Sequence, residues 1–234
     1  MLQQLKRDLR ELAKPERAKA GRWFFKTGEG QYGEGDKFLG VTVPDQRKVA
    51  KHYKDLSLVD LENLLMSPWH EERLTALIIM VNQYKKGNET KQLELYEFYL
   101  THTDRVNNWD LVDTSARDIV GAYVYHHQDL LQVLDTLSDS TLLWERRIAV
   151  VASFHFINQG EPDISIELAE KLLNDKEDLM HKAVGWMLRE MGKRCDRQLL
   201  IDFLDAHAHE MPRTMLRYSI EHLPDTTRHE YLAM

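Results

Sequence analysis

Helical segments recur along this chain at a nearly constant spacing, and this recurrence constrains the fold more than any other feature. Apolar residues follow the 3.6-residue period of amphipathic helices, and no convincing run has the two-residue period of a strand. Equivalent positions fall 37, 37, 35 and 35 residues apart, at Arg73, Asp110, Arg147, Lys182 and Arg217. A period of this length predicts an α-solenoid, in which each helix pair buries its apolar face on the next.

Capping signals and the ends of the apolar periods indicate where the helices begin and end. We expect Pro44 at the first position of a helix, Ser57 as an N-cap, and Ser67-Pro68 as an N-cap followed by a first position. Residues 28–35 contain four glycines and predict a loop. The remaining helices are predicted at residues 2–13, 15–26, 90–102, 109–126, 128–137, 141–158, 163–173, 177–194, 197–207 and 212–222.

The predicted fold is all-α, a solenoid of HEAT-like helical repeats with a concave face, built as a single domain over residues 1–234. The repeats share a pattern rather than a sequence, which is more typical of HEAT repeats than of tetratricopeptide or ankyrin repeats. Residues 1–53 would form basic N-terminal helices with the glycine-rich loop, and residues 54–234 the helical repeats. A concave wall of about five or six repeats suits a rod-like ligand, such as duplex nucleic acid or a partner helix.

Charge is distributed unevenly along the chain. The formal net charge is −7, but residues 1–53 hold 12 Lys or Arg against 7 Asp or Glu, and the remaining 181 residues hold 19 against 31. A basic patch on an acidic body can still bind phosphate, because nearby charges set the field close to a surface. From charge alone, a solvated lysine-rich helix pair is an equally good interpretation.

The sequence also indicates the compartment and the absence of cofactors. A single cysteine, Cys195, provides neither a disulfide framework nor a cysteine-based zinc site within one chain. Residues 1–10 lack an apolar signal region, and no apolar run approaches about 18 residues. We therefore expect a cytoplasmic protein without membrane contact, and the lack of an obvious exposed apolar patch favours a monomer. His126-His127 and His207-Ala208-His209 lack the partner pattern of a zinc site, so we expect no metal and no cofactor.

One position departs from the repeat pattern, and it carries an acid. Three residues beyond the equivalent positions lie Ala76, Asp113, Val150, Gly185 and Ile220. Four of these residues suit a packed helix interface. A carboxylate beside a core costs free energy, so its presence there is more readily explained when function requires it. Trp109 precedes Asp113 by one helical turn and shares its face, so this pair is the first candidate for chemistry. The alternative is a surface ion pair of Asp113 with Arg117, which would contribute only about 0.3–0.5 kcal/mol.

A second tryptophan lies on a cationic helix face. The predicted buried stripe of the helix at 177–194 consists of Met180, Val184, Met187, Leu188 and Met191. The opposite stripe consists of Lys182, Trp186, Arg189 and Lys193. We expect Trp186 to project from this basic stripe, about 140° from the core centre; the alternative is that it packs on the next repeat or under lysine stems. Arg147 could similarly form a salt bridge between repeats, with an acid such as Asp110.

Several of these segments together resemble a known family. Residues 108–113 (Asn-Trp-Asp-Leu-Val-Asp), 144–147 (Trp-Glu-Arg-Arg) and 182–190 (Lys-Ala-Val-Gly-Trp-Met-Leu-Arg-Glu) resemble the AlkD-type DNA alkylation repair glycosylases. Residues 18–23, with the later Phe38-Leu39-Gly40-Val41 and Pro44, extend the resemblance toward the N-terminus. The motifs occur in the family's order over nearly the whole chain.

The resemblance implies a HEAT-like solenoid that removes N3- and N7-alkylated purines from double-stranded DNA. By this resemblance, Trp109, Asp113 and Trp186 match the catalytic cluster of the family, and Arg147 matches its arginine that contacts the DNA backbone. Trp23 stands where the best-known member has a tyrosine, which implies an aromatic contact with the lesion.

Further departures and contacts follow from the same comparison. Asn108 stands where the best-known member has a second tryptophan, and the loop 28–35 looks longer than its counterpart. Lys182, Arg189 and Lys193 would hold phosphates, which positions DNA without reading its sequence.

The chemistry of a cationic alkylpurine needs only one carboxylate. Its glycosidic bond is already weakened, so the leaving group requires no protonation, unlike a neutral sugar substrate. Asp113 would stabilise the oxocarbenium ion and orient the attacking water, an effect of about 2.7–4 kcal/mol. Each tryptophan would add about 0.5–2 kcal/mol by stacking on the cation. Two alternatives remain at this point: a catalytically inactive HEAT-repeat protein that binds damaged or branched DNA, and a protein-binding scaffold.

Overall fold

The computed structural model describes residues 1–234 and is all-α. It contains no β-strand, and a single isolated bridge joins Lys37 to Trp69. The chain forms two compact units, residues 1–115 and residues 116–234. Within each unit the helices that carry the recurring positions pack side by side, which is the packing of a solenoid and confirms the predicted fold class. None of the helices combines the length and the apolar character needed to cross a bilayer.

The helices of the first unit are α1 (Leu2–Glu11), α2 (Pro15–Phe24), α3 (Val43–His52), α4 (Leu58–Leu65), α5 (His70–Lys86), α6 (Glu89–Leu100) and α7 (Trp109–Ser115). Those of the second unit are α8 (Ala122–His126), α9 (Gln132–Ser138), α10 (Leu143–Ala152), α11 (Phe154–Gln159), α12 (Asp163–Lys171), α13 (Asp178–Arg194), α14 (Arg197–His207), α15 (Arg213–Ser219) and α16 (Asp225–Ala233). Helix α5 packs on α7 in the first unit, and α13 packs on both α10 and α15 in the second.

Two of the three predicted helix starts require correction. Ser57 is the N-cap of α4, as predicted, and its hydroxyl accepts a hydrogen bond from the backbone of Asp60. Helix α3 is capped by Thr42, so Pro44 occupies the second helical position rather than the first. The prediction for Ser67-Pro68 is wrong, because α5 begins only at His70.

A short backbone pairing explains the late start of α5. The Lys37 N–H donates to the carbonyl of Pro68 at 3.0 Å, and the His70 N–H donates to the carbonyl of Lys37 at 2.8 Å. These bonds hold the chain before His70 extended, so the helix cannot begin at Pro68. The Ser67 hydroxyl accepts from the Trp69 N–H at 3.1 Å and forms a local turn instead of a cap.

Long helical periods are interrupted in the second unit. The predicted helix at 109–126 contains a π-helical turn at Arg117–Gly121, closed by a bond of 2.9 Å from the Gly121 N–H to the Ala116 carbonyl. A Cβ at position 121 would lie 2.2 Å from the Ala152 carbonyl, so glycine is required by close packing. The predicted helix at 141–158 breaks at Ser153, whose hydroxyl donates to the Val150 carbonyl. Helix α16 was not predicted, because its sequence is mostly polar.

The cores confirm the register of the repeats. Ala76, Val150 and Ile220 are almost fully buried, and a Cβ on Gly185 would lie 2.5 Å from the Met215 carbonyl. The predicted core stripe of α13 is also buried. Asp113, at the same repeat position, is only half-buried. The structure therefore supports the prediction that four of the five equivalent positions serve packing and one does not.

Candidate active site

Trp109 and Asp113 lie on α7, which is held in place at both ends. Asn108 is buried, and its side-chain oxygen accepts from the Trp109 N–H at 2.8 Å, which fixes the start of the helix. At the other end, the Ser115 hydroxyl contacts the Tyr99 hydroxyl at 3.0 Å and donates to the Leu111 carbonyl. The side chain of Asn108 thus has a local role, since it bonds to the backbone of the first residue of α7.

Asp113 lies near the buried hydroxyl of Tyr99. Burial raises the pKa of Tyr99, and the negative charge of Asp113 acts in the same direction. Arg117, the alternative partner considered for Asp113, forms a two-point ion pair with Asp118, at 2.9 and 3.0 Å. Asp113 is half-buried and lies between the buried hydroxyl of Tyr99 and the protein surface.

Trp109 rests on a stack of aromatic rings. Phe25 lies nearly parallel to it, with ring centroids 5.3 Å apart, and Phe38 continues the stack 5.1 Å beyond Phe25. Phe24 meets Trp109 edge-on at 5.8 Å and is 56% exposed. Phe25 thus supports one face of the indole, and the ring of Phe24 lies roughly perpendicular to the indole.

Trp23 and Phe24 are adjacent exposed aromatic residues at the end of α2. Trp23 is 83% exposed, which is consistent with a residue available for ligand contact. Phe24 was not singled out from the sequence. The signal that could have identified it is the run of three consecutive aromatic residues, Trp23 to Phe25, which places at least one ring on a polar face of any helix.

A group of four charged side chains lies beside this stack: the buried His70 and Arg73 and the partly buried Asp36 and Asp110. The His70 ring contacts Asp36 through Nδ1 at 3.2 Å and Asp110 through Nε2 at 2.8 Å. Arg73 donates to the other oxygen of Asp36 at 2.7 Å. We call these residues the charged quartet; it joins the loop before α3, the first turns of α5 and the first turn of α7.

The electrostatics of the charged quartet favour ionised side chains. Burial alone would lower the pKa of His70, but the charge and hydrogen bond of Asp110, together with the bond to Asp36, raise it to about 9. For Asp36, burial would raise the pKa, but the bonds to His70 and Arg73 outweigh burial and lower it. The quartet thus places two buried cations, His70 and Arg73, against two partly buried carboxylates.

A second buried acid, Glu71, fixes the segment that carries Phe38. Its carboxylate accepts hydrogen bonds from three backbone N–H groups, those of Leu39, Gly40 and Val41, at 2.9, 2.7 and 3.3 Å. Gly40 has a φ of +82°, and a Cβ there would lie 2.2 Å from the Lys14 carbonyl. This arrangement explains why the sequence requires glycine close to Phe38.

In the second unit, α13 carries the predicted basic stripe, and most of the stripe is already ion-paired. Lys182 contacts Asp178 at 2.8 Å, and Arg189 pairs with Glu221. Lys193 is exposed. The stripe is therefore less available to an anion than the sequence suggests.

Trp186 and Arg147 both contact neighbouring helices of the second unit. Trp186 is half-buried, and its ring lies 5.6 Å from that of Phe154 in a T-shaped contact. Part of its side chain therefore packs against the core, as the alternative interpretation predicted, and part is exposed. Arg147 is buried, and its guanidinium donates to the Leu179 carbonyl of α13 at 2.6 Å. Both side chains are thus held by neighbouring helices. No group of three or more His, Cys, Asp or Glu side chains is placed to hold a metal ion.

Residues 5–223 match the model of a family described as DNA alkylation repair enzymes. The chain belongs to this family. A solved structure described as a predicted DNA alkylation repair enzyme from Enterococcus faecalis has the same fold, with a TM-score of 0.70 over 91% of this chain and 97% of that chain. The two sequences are 16% identical, so this likeness speaks for the fold alone. No curated protein matches the chain. The family resemblance predicted from the sequence is confirmed, and it places the chain among enzymes of DNA repair.

Proposed function

We propose that this protein is a metal-free DNA glycosylase that hydrolyses the N-glycosidic bond of cationic N3- or N7-alkylated purines in double-stranded DNA. The observation that carries the proposal is Asp113. It is a half-buried acid on the same helix as Trp109, at a repeat position that Ala76 and Val150 use for packing. A carboxylate retained at such a position is best explained by chemistry.

The reaction requires one anionic group and one water molecule. The alkylpurine leaves with the electrons of the glycosidic bond and becomes neutral, so no general acid is needed. Asp113 stabilises the positive charge that develops on the deoxyribose, and it orients the water that attacks the anomeric carbon. The proton released by that water passes to Asp113 or to solvent. Electrostatic help of this kind contributes about 2.7–4 kcal/mol.

Trp109 provides an aromatic surface for the cationic nucleotide. Phe25 supports one face of its indole, and the ligand would stack on the opposite face. A cation over an indole ring gains about 0.5–2 kcal/mol. The exposed Trp23 is the further aromatic contact in this unit. The protein would act in the cytoplasm, on nucleoid DNA.

The residues proposed in the second unit bind DNA. Trp186 stacks on the nucleotide, and Arg147 and Lys193 contact backbone phosphates. Lys182 and Arg189 join them by exchanging their present carboxylate partners for phosphates. Because each exchange replaces one ion pair by another, these two residues contribute little net affinity.

The test is release of 7-methylguanine from a duplex, measured for the wild type, for Asp113→Asn and for Asp104→Asn. Asp104 is an exposed acid in the same unit and serves as the matched control. We expect release by the wild type and the control, and a loss of about 100-fold or more in Asp113→Asn with DNA affinity retained. Equal rates for all three would refute the role of Asp113. DNA binding without release by any of them would identify an inactive protein that binds damaged or branched DNA.

A further inference from the structure

His70 makes contacts that a doubly protonated ring satisfies when both neighbouring carboxylates are ionised. Nδ1 lies 3.2 Å from Asp36 and Nε2 lies 2.8 Å from Asp110. A neutral imidazole has one N–H, so its other nitrogen would direct a lone pair at a carboxylate. With two N–H groups, the ring donates to both acids. An acid on each ring nitrogen therefore favours an imidazolium, and the pKa of about 9, raised against burial by Asp110 and Asp36, agrees.

The ring is also connected to Trp109 by two separate routes. One route is polar, because Asp110 follows Trp109 in the chain and lies in the same first turn of α7. The other is aromatic, because His70 packs against Phe25 at 4.8 Å and Phe25 packs under Trp109 at 5.3 Å. His70 thus contacts both the helix turn and the ring that define where the indole lies.

We propose that His70, in its cationic form, is a positioning residue that holds the first turn of α7 and thereby sets the placement of Trp109 and Asp113. The effect on reaction rate rests on the function proposed above, whereas the effect on Trp109 does not. Loss of one N–H would leave either Asp110 or the second oxygen of Asp36 without its donor, while Arg73 would still donate to the first oxygen of Asp36. Since Asp110 lies in the first turn of the helix, its release frees the turn that carries Trp109.

Three other charged groups bear on the ring. Asp36 faces it from the loop before α3, Asp110 from α7, and Arg73 lies one turn further along α5 and lowers the pKa of His70 slightly. Arg73 is itself bonded to Asp36 at 2.7 Å and to the Ser67 carbonyl at 3.1 Å. A histidine that only filled space in the core would not need an acid on either ring nitrogen. The contacts with Asp36 and Asp110 therefore support a role in holding the first turn of α7.

The experiment compares the wild type with His70→Gln and with the double variant His70→Gln/Asp36→Asn. Glutamine has an NH2 group that donates and an oxygen that accepts. If its NH2 group donates to Asp110, its oxygen faces position 36 and needs a donor there. In the double variant, the side-chain amide introduced at position 36 would donate to the glutamine oxygen and restore a complete network. His207→Gln is the matched control, because His207 also contacts acids but lies in the second unit near the surface.

Two properties are measured for each folded variant across about pH 6 to about pH 10. The first is the single-turnover rate of 7-methylguanine release, for which we expect a fall of about 10- to 100-fold in His70→Gln, recovery in the double variant, and no change in the control. The second is the 15N-indole resonance of Trp109, assigned by its loss in Trp109→Phe. In the wild type this resonance should titrate near pH 9, and it should not do so in either variant that lacks His70.

The outcomes separate the two proposals. A shifted Trp109 resonance in His70→Gln, with a reduced rate, supports both. A shifted resonance in a protein that releases no base supports positioning by His70 and refutes the glycosylase. A wild-type resonance and rate in folded His70→Gln would overturn the positioning role and leave His70 as a stabilising residue only.

Discussion

The charged quartet predicts an unusual dependence of stability on pH. We expect the free energy of unfolding to fall between about pH 6.5 and about pH 9, because His70 gives up a proton that its buried site holds tightly. A histidine in the unfolded chain titrates near 6.5, whereas the pKa of His70 in the folded protein is about 9. The folded state therefore binds this proton more strongly than the unfolded state does.

The size and sign of the effect follow from that difference. One pKa unit corresponds to about 1.4 kcal/mol, so protonation of His70 contributes on the order of 3 kcal/mol. This contribution is fully present below the unfolded pKa of about 6.5. It is lost progressively as the pH rises through the folded pKa. His155 has the opposite sign, since burial lowers its pKa, and its contribution is lost at acidic pH.

Urea denaturation at about pH 6, 7, 8 and 9 would measure the effect, with His70→Gln in parallel. Subtracting the free energy of unfolding of the variant at each pH cancels the contribution of His155 and of the other groups that titrate alike in both proteins. We expect the wild type to lose about 3 kcal/mol more than the variant over this range. Parallel curves for the two proteins would refute the reasoning, because they would mean that the pKa of His70 does not differ between the folded and unfolded states.

Three further changes test the packing and the binding surface. Gly185→Ala should destabilise by about 1–3 kcal/mol in urea, since the added Cβ would meet the Met215 carbonyl at 2.5 Å; a more stable variant would contradict this packing. Glu71→Gln should cost about 1.5–3 kcal/mol in the same assay, because a neutral amide replaces a carboxylate that accepts three N–H bonds, and unchanged stability would exclude that role. Lys193→Gln should make the slope of log DNA affinity against log salt concentration less steep by about one unit. An equal change in the control Lys48→Gln would show that loss of any surface charge has this effect.

The repeat period predicted the architecture well, because it depends on local patterns. Burial of Ala76, Val150 and Ile220 followed from their shared place in the repeat, and the exceptional position of Asp113 was visible for the same reason. Helix breaks were harder to predict. The π-helical turn depends on the close approach of Gly121 to Ala152, which no local pattern records.

The charged quartet could not be predicted from the sequence. His70 lies 34 residues from Asp36 and 40 from Asp110, and each residue alone is common at the start of a helix or in a loop. The late start of α5 depends in the same way on a pairing with Lys37. Such features arise from contacts between distant segments, so only the folded chain reveals them.

The pre-formed ion pairs of α13 have a consequence for the way such an enzyme would search a genome. Lys182 and Arg189 are held by Asp178 and Glu221, and cations that are already neutralised contribute little to non-specific attraction, which arises from counterion release. The chain also carries a net charge of −7, which opposes binding to a polyanion. If the protein acts as proposed above, its encounters with undamaged DNA should therefore be brief, and it should remain bound only where its aromatic residues meet a cationic base.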